Sequence, residues 1–446
     1  MKIIIAGAGA VGFHLAELLS KESQDITLID TDTEILTQVG ANLDVLTIRG
    51  DAASFTILEQ AKVAKAHLFI AVTTSEKTNL LVAILAKQMG AKRTIARVNN
   101  AEYYQKVQQE RFHDLGVDVM ISPQLLAAQE IERLLQRASF TDLFEFEEGK
   151  LAVVGFTLDT SCPLINRSID DIDSMEEDFT FRGIALLRDG KTLIPHGGTV
   201  LRKGDHLYIA TRNKNLDAAR SFVGKQLKPI RNVMIVGGSP LALKTAQLLE
   251  RNYAVTIVMG DKNEGHRCVE CLSNSLVIHA DPGNVDALKE EGLAQMDAFI
   301  ALTPNSETNI ITSLMAEEIG VYKTVALVDN INYTHISQNI GIDTIINKKL
   351  IAANNIFRFV RKGKVEAIAS LHGVDAEMIE FEVHKRNRLL RHSVKQLHFP
   401  HKSIIAGVVR GEKSYIPSDE FHFELNDKVI VLALPEAIHQ VEEIFK

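Results

Sequence analysis

Short runs of apolar and β-branched residues alternate along the first part of the chain with longer segments of helical period. Lys2–Ala6, Asp25–Ile29, Asp44–Arg49, Leu68–Val72, Thr94–Val98 and Val119–Ile121 read as strands. Val11–Leu19 and Thr78–Met89 read as two of the intervening helices. Strands apolar on both faces predict a parallel sheet covered by helices on each side. From residue 140 the pattern changes in kind. Leu151–Leu158 and His206–Thr211 look like strands, and Asp189-Gly190 looks like a hairpin turn.

The whole arrangement then repeats. At an offset of 230, Val233-Met234-Ile235-Val236-Gly237-Gly238 echoes Ile3–Ala8, Asp281 matches Asp51, and Phe299-Ile300-Ala301 matches Phe69-Ile70-Ala71. Thr303 matches Thr73, Thr308-Asn309 matches Thr78-Asn79, and Gly320, Asn330 and Tyr333 match Gly90, Asn100 and Tyr103. A five-residue shift then aligns Gly341-Ile342-Asp343 with Gly116-Val117-Asp118. The strand-rich part recurs at an offset of 222: Arg188 with Arg410, Ile194-Pro195 with Ile416-Pro417, Asp205 with Asp427. Met378–His384 and Lys428–Leu434 are its strands and Arg410-Gly411 its hairpin turn. A period this long marks a duplicated architecture. The expected fold class is α/β. Two Rossmann-like, doubly wound parallel-sheet domains, 1–123 and 231–348, are each followed by a small strand-rich α+β domain, 140–224 and 364–446. Helices at Gln124–Arg137 and Lys349–Arg361 are expected to link the parts, and Gly224–Arg231 to separate the halves.

Composition narrows the function. Apolar content of 46% and charged content of 24% are those of an ordinary globular chain. A net charge of −8 gives no electrostatic reason for a nucleic-acid partner. No apolar run reaches membrane-spanning length, and the N-terminus reads as a strand and glycine turn, not a signal peptide. Three cysteines, Cys162, Cys268 and Cys271, suggest a reducing compartment.

The chemistry concentrates in Gly7-Ala8-Gly9-Ala10-Val11-Gly12, which follows a strand and opens a helix. Gly7 allows the tight turn, Gly9 admits a pyrophosphate to the backbone, and Gly12 permits close packing of helix on strand. The helix N-terminus favours the anion. Asp30 ends the second strand, where a carboxylate bonds a ribose diol and repels a 2′-phosphate, favouring NAD over NADP. Asp51 and Ala52 follow the third strand, Thr73 the fourth, and Arg97 closes the fifth, where a guanidinium can reach a phosphate. Thr73 and Asn79 also have a reading as turn and helix-cap residues.

The second copy keeps Gly237, Gly238, Asp281, Thr303 and Asn309. It has Ser239 and Ala242 for the second and third glycines, Gly260 for Asp30 with Asp261 one residue late, and Leu327 for Arg97. Its site is expected to be weak, altered in preference or empty. No catalytic constellation stands out and no metal site is expected. Cys268-x-x-Cys271 reads as one face of a helix, and His398 and His401 flank Pro400 without acidic neighbours. Phe421-His422-Phe423 reads as strand alternation.

On Gly7-x-Gly9-x-x-Gly12, Asp30, Gly50-Asp51-Ala52, Ala71-Val72-Thr73, Thr78-Asn79 and Ala96-Arg97-Val98-Asn99, with Gly237-Gly238, Asp281 and Thr308-Asn309 in the second half, the chain resembles the TrkA family of potassium-uptake regulators over essentially its whole length. That family alternates RCK (KTN) N-terminal and C-terminal domains. The resemblance implies a regulatory subunit without enzymatic activity. It would bind NAD(H), or ATP and ADP at the same site, and lie in the cytoplasm, peripheral to the inner face of the membrane. It would assemble as a tetramer beneath a TrkH- or TrkG-like potassium transporter. Asn99 stands where many members carry a further arginine. An NAD-dependent oxidoreductase and a regulator of another cation channel or antiporter are the competing readings.

Overall fold

The computed structural model describes residues 1–20, 24–136, 140–147, 149–160, 162–173, 180–224, 228–329, 344–361, 368–370, 374, 376–384, 388–397 and 399–445. His398, Asn330, Tyr333 and Gly341-Ile342-Asp343 lie outside the described residues. The chain forms two compact units, Met1–Gln129 with Asn347–Val360, and Glu130–Ile346 with Arg361–Lys446. This division cuts across the sequence repeat. A linker helix was expected at Lys349–Arg361; it runs Lys348–Arg361, and all but its last residue belongs with the first sheet.

The first unit holds a parallel sheet of β1 (Lys2–Ala6), β2 (Asp25–Asp30), β3 (Leu46–Arg49), β4 (Leu68–Ala71), β5 (Thr94–Arg97) and β6 (Val119–Ile121), in the order β3-β2-β1-β4-β5-β6. Ile3, Ile4, Ile5 and Ala6 are wholly buried, as a central strand covered on both faces requires. The order reverses between β1 and β4, and in open α/β sheets the crevice at such a switch point receives ligands. The helices Ala10–Ser20 and Glu76–Gln88 follow β1 and β4.

In the second unit, β7 (Asp142–Phe146), β8 (Leu151–Thr157), β9 (Phe181–Arg188), β10 (Lys191–Leu193) and β11 (His206–Arg212) form an antiparallel sheet ordered β10-β9-β11-β8-β7. β12 (Asn232–Val236), β13 (Ala254–Met259), β14 (Leu276–His279), β15 (Ala298–Ala301), β16 (Lys323–Leu327) and β17 (Ile345–Ile346) rebuild the parallel sheet as β14-β13-β12-β15-β16-β17. β18 (Ile368–Ser370), β19 (Glu377–Glu382), β20 (Ser403–Arg410), β21 (Lys413–Tyr415) and β22 (Lys428–Ala433) make the last sheet, β18-β19-β22-β20-β21. The two antiparallel sheets share one core, in which Leu151, Val153, Ile184 and Tyr208 pack with Met378, Ala406, Ile430 and Leu432. Lys150 Nζ donates to the Gly411 carbonyl at 3.0 Å across the same junction.

The smaller repeat has a physical cause. Arg188 grips Asp205 through two nitrogens, each 2.7 Å from a carboxylate oxygen, and Arg410 grips Asp427 at 2.8 Å on both. Asp205 and Asp427 are 1% and 0% exposed, so each buried carboxylate needs its guanidinium. The first hairpin turns at Asp189-Gly190, as expected. In the second, Arg410 pairs with Lys413, so the turn is Gly411-Glu412, one residue later than expected, because Arg410 must stay in the strand to hold Asp427. Phe421-His422-Phe423 forms a single bridge through His422, not a strand. Cys268 and Cys271 lie on a helix, Lys262–Cys271, but Cys268 is buried and Cys271 exposed, so they do not share an environment.

Two predictions follow from buried charge. Replacing Arg188 with Met strands the Asp205 carboxylate and should cost about 3 kcal/mol of stability in chemical denaturation, with Arg410→Met behaving alike. Glu380 is 1% exposed. Burial first, and then hydrogen bonding and repulsion from Glu147, push its carboxyl up to about 8. The folded state therefore keeps a proton that the unfolded chain loses near pH 4.5, and stability falls as pH rises between those values. Lys428 pairs with Glu382 at 3.3 Å and is attracted to Glu147. Glu380→Gln should raise the melting temperature at pH 8.5 relative to the parent and flatten its decline from pH 5.5, measured by calorimetry.

Candidate nucleotide site

Above the switch point of the first sheet lies a cavity of about 600 Å³, a size suited to a small-molecule ligand. Gly7, Gly9, Ala10, Val11, Asp30, Asp51, Ala52, Thr73 and Arg97 line it. Ala8, Gly12 and Asn79, the other expected ligand residues, are not among its lining residues and support it instead.

The turn after β1 sets the geometry. Gly7 has φ +106°, and a Cβ there would come within 2.8 Å of the Thr73 backbone nitrogen. Only glycine fits that conformation and that approach. Gly12 passes under the Gly7 carbonyl, which a Cβ would strike. A Cβ at Gly9, in contrast, would meet nothing within 4 Å. Phe13 N donates to the Gly9 carbonyl at 2.8 Å, so the amides ahead of it have no partner within the helix. Together these place a helix N-terminus over open space, an arrangement that favours an anion.

Asp30 sits at the end of β2 with its carboxylate fixed by two backbone donors. Ala8 N donates to Oδ2 at 2.6 Å and Asp32 N to Oδ1 at 3.0 Å. Asp32 itself caps the next helix through Glu34 N and Ile35 N. The neighbouring acid thus serves as a helix cap. Asp51 Oδ1 accepts from Ala53 N at 2.9 Å, holding the loop after β3.

Asn79 resolves between its two readings. It is 1% exposed, and its Oδ1 accepts from Thr73 N at 2.8 Å and Thr73 Oγ1 at 2.7 Å. Its Nδ2 donates to the carbonyls of Thr73 and Arg97. Asn79 ties the ends of β4 and β5 together. Ser75 caps the following helix through Thr78 N. Burial lowers the Arg97 pKa, yet a guanidinium stays cationic in protein surroundings.

Sequence reasoning missed several lining residues. Asn99 faces the cavity because Glu76 Oε2 accepts from the backbone nitrogens of Asn99 and Asn100 at 2.9 and 3.0 Å. Its Oδ1 is buried without a hydrogen-bond partner among the described residues. Lys348 and Lys349 also line the cavity. Their only signal was a place at the start of an expected linker helix.

In the second copy Gly237 keeps its left-handed turn at φ +117°, pressed against Leu302. Thr303 and Asn309 repeat the clamp, with Asn309 Nδ2 donating to Thr303 and Leu327 carbonyls at 2.9 Å. The ligand-facing features are gone. The Glu264 carboxylate occupies the place of a Cβ on Gly238. Ser239 Oγ caps the helix through Ala242 N at 3.2 Å. Asp261, one residue after the position of Asp30, caps the helix Lys262–Cys271 through Asn263 N. Asp281 Oδ1 accepts from Gly283 N. Leu327, 4% exposed, replaces the guanidinium with a hydrocarbon.

Fold and site together define a duplicated chain of Rossmann-like parallel-sheet and antiparallel-sheet domains, with a charged cavity at the switch point of the first and altered residues at that of the second. The TrkA-N domain model matches residues 3–123 and 233–348, and the TrkA-C domain model matches 153–224 and 378–446. The chain belongs to the TrkA family of Trk-system potassium uptake proteins. It is 31% identical over 450 residues to a TrkA homolog of Archaeoglobus fulgidus, covering 100% of both chains. It is 29% identical over 455 residues to TrkA homolog 1 of Methanosarcina mazei, again covering 100% of both. With TrkA of Vibrio alginolyticus it shares 28% over 454 residues, covering 100% of this chain and 99% of that one. The solved GsuK RCK domain has the same fold, with TM-score 0.59 and 14% identity over 100% of this chain and 94% of that chain. A GsuK channel solved bound to NAD has the same score and identity over 100% of this chain and 78% of that one.

The contrast between the two pockets sets a stoichiometry. Equilibrium dialysis of the purified chain against NADH or ATP should saturate at one nucleotide per chain, and a value of two would contradict the altered second site.

Proposed function

We propose that this chain is the nucleotide-sensing regulatory subunit of a Trk-type potassium uptake system, binding NAD(H) or adenine nucleotides in the first pocket. The observation that carries the reading is the pairing of Asp30, held ready by Ala8 N, with open space over Gly9 at a helix N-terminus. Adenosine ribose suits the first and a pyrophosphate the second. The orphaned Asn99 Oδ1 supports the fit, since a ligand hydroxyl or amide would satisfy it. The lining offers carboxylates, hydroxyls and cations, groups that suit the polar parts of a nucleotide.

Regulation needs differential affinity. A nucleotide that binds one arrangement of the assembled domains tenfold better contributes about 1.4 kcal/mol, enough to bias a nearly balanced gate. No described helix is long and apolar enough to cross a membrane. The translocating pore in this reading is a TrkH- or TrkG-like partner, with the chain as a cytoplasmic, peripheral and oligomeric subunit, most simply a tetramer. The names of the relatives, Trk system potassium uptake proteins, support that partner.

Gly9→Asp fills the open space with a carboxylate. Calorimetry should show NADH and ATP affinity reduced by at least about tenfold, with the melting temperature little changed. Unchanged affinity would remove the site assignment. A pull-down from native membranes with the parent chain should recover a multi-span potassium transporter.

A further inference from the structure

The first pocket is lined by three carboxylates, Asp30, Asp32 and Asp51, and by three cations, Arg97, Lys348 and Lys349. Two of the cations come from far along the sequence, from the first two positions of the helix Lys348–Arg361. Without them, one guanidinium would face three acids, and a polyphosphate would enter a cavity of its own sign. Lysine is also a poor choice for that position on helix grounds. The helix N-terminus carries partial positive charge, so two lysines in its first turn oppose the dipole. The helix has no acidic residue in that turn to compensate. Its amides are already capped, since Asn347 Oδ1 accepts from Lys349 N at 3.0 Å and Leu350 N at 3.1 Å. The equivalent start of the helix Pro123–Gln136, which also lines the cavity, is uncharged at Pro123 and Gln124. Ala352, Ala353, Ile356 and Phe357 are buried, at most 4% exposed, which fixes the helix and so presets the lysines. Residues that violate a local rule in a well-anchored element mark a functional demand.

We infer that Lys348 and Lys349 are binding residues of the first pocket that recognise the phosphate chain of the nucleotide and rank ligands by its charge. This rests on the nucleotide-binding reading of that pocket and extends it. An ammonium acts on a phosphate as a point charge. Nucleotides with free terminal phosphates therefore gain more from the pair than a dinucleotide, whose pyrophosphate is esterified at both ends. The lysines follow Ile346, the last residue of β17, by only two and three positions. The second half of the sequence thus contributes two of the three cations that line the first pocket.

The test is calorimetry on the full chain with adenosine, ADP, ATP and NADH, comparing the parent with Lys348→Gln/Lys349→Gln and Lys348→Arg/Lys349→Arg. The glutamine variant should lose at least about tenfold in ATP affinity, less for ADP and less again for NADH, with adenosine within about twofold. The arginine variant should retain the parent order. Equal losses for adenosine and ATP, or unchanged ATP affinity, would overturn this inference while leaving the pocket as a nucleotide site. A parent chain that binds none of the four would overturn the nucleotide reading, and this one with it.

Discussion

The structure depends on one close approach, between the turn after β1 and the backbone that leaves β4. Gly7 reaches it by a left-handed conformation, and its missing Cβ leaves room for Val72 and Thr73. Asn79 locks the other side, accepting from Thr73 and donating across to β5. Three strand ends and two helix starts are thereby fixed around the switch point. Gly7, Gly9, Thr73 and Arg97 of the pocket lining lie at or next to this junction. The second half preserves it, with Gly237 against Leu302 and Asn309 on Thr303. The junction is a requirement of the fold. The glycine, threonine and asparagine that survive duplication therefore say little about ligand.

What distinguishes the halves lies one layer outward, where side chains are free of the backbone framework. Asp30 against Gly260 and Arg97 against Leu327 each remove a charge at the crevice, and Ser239 stands in place of Gly9. The second pocket has satisfied itself. Ser239 caps its helix, and the Glu264 carboxylate lies close to Gly238. Such internal partners stabilise an unliganded domain, because groups that would otherwise wait for a ligand are already paired.

The antiparallel sheets show the same economy of repetition. Each buries an aspartate on an arginine fork, and the two sheets close over a common core. A buried carboxyl, Glu380, lies against Glu147 at 1% exposure. Its raised pKa makes this region sensitive to alkaline conditions.

By itself the sequence determined the alternation of two parallel-sheet and two strand-rich domains, every strand of the first sheet, the glycine turn after β1 and the loss of its glycines in the second copy. All of these rest on short-range signals: two-sided apolar strands, helical period, glycine turns and a constant repeat offset. Even Arg188 and Asp205 showed as a repeat before their ion pair was visible. Only the tertiary structure decided the rest. It moved Asn79 from ligand candidate to clamp, because burial and four hydrogen bonds depend on where β4 and β5 end. It placed Glu264 over Gly238 and Asn99 at the cavity wall. It also brought Lys348 and Lys349 to a pocket begun by Gly7. No local pattern encodes a meeting across more than three hundred residues, since it follows from how packed surfaces match and not from the period of any one element.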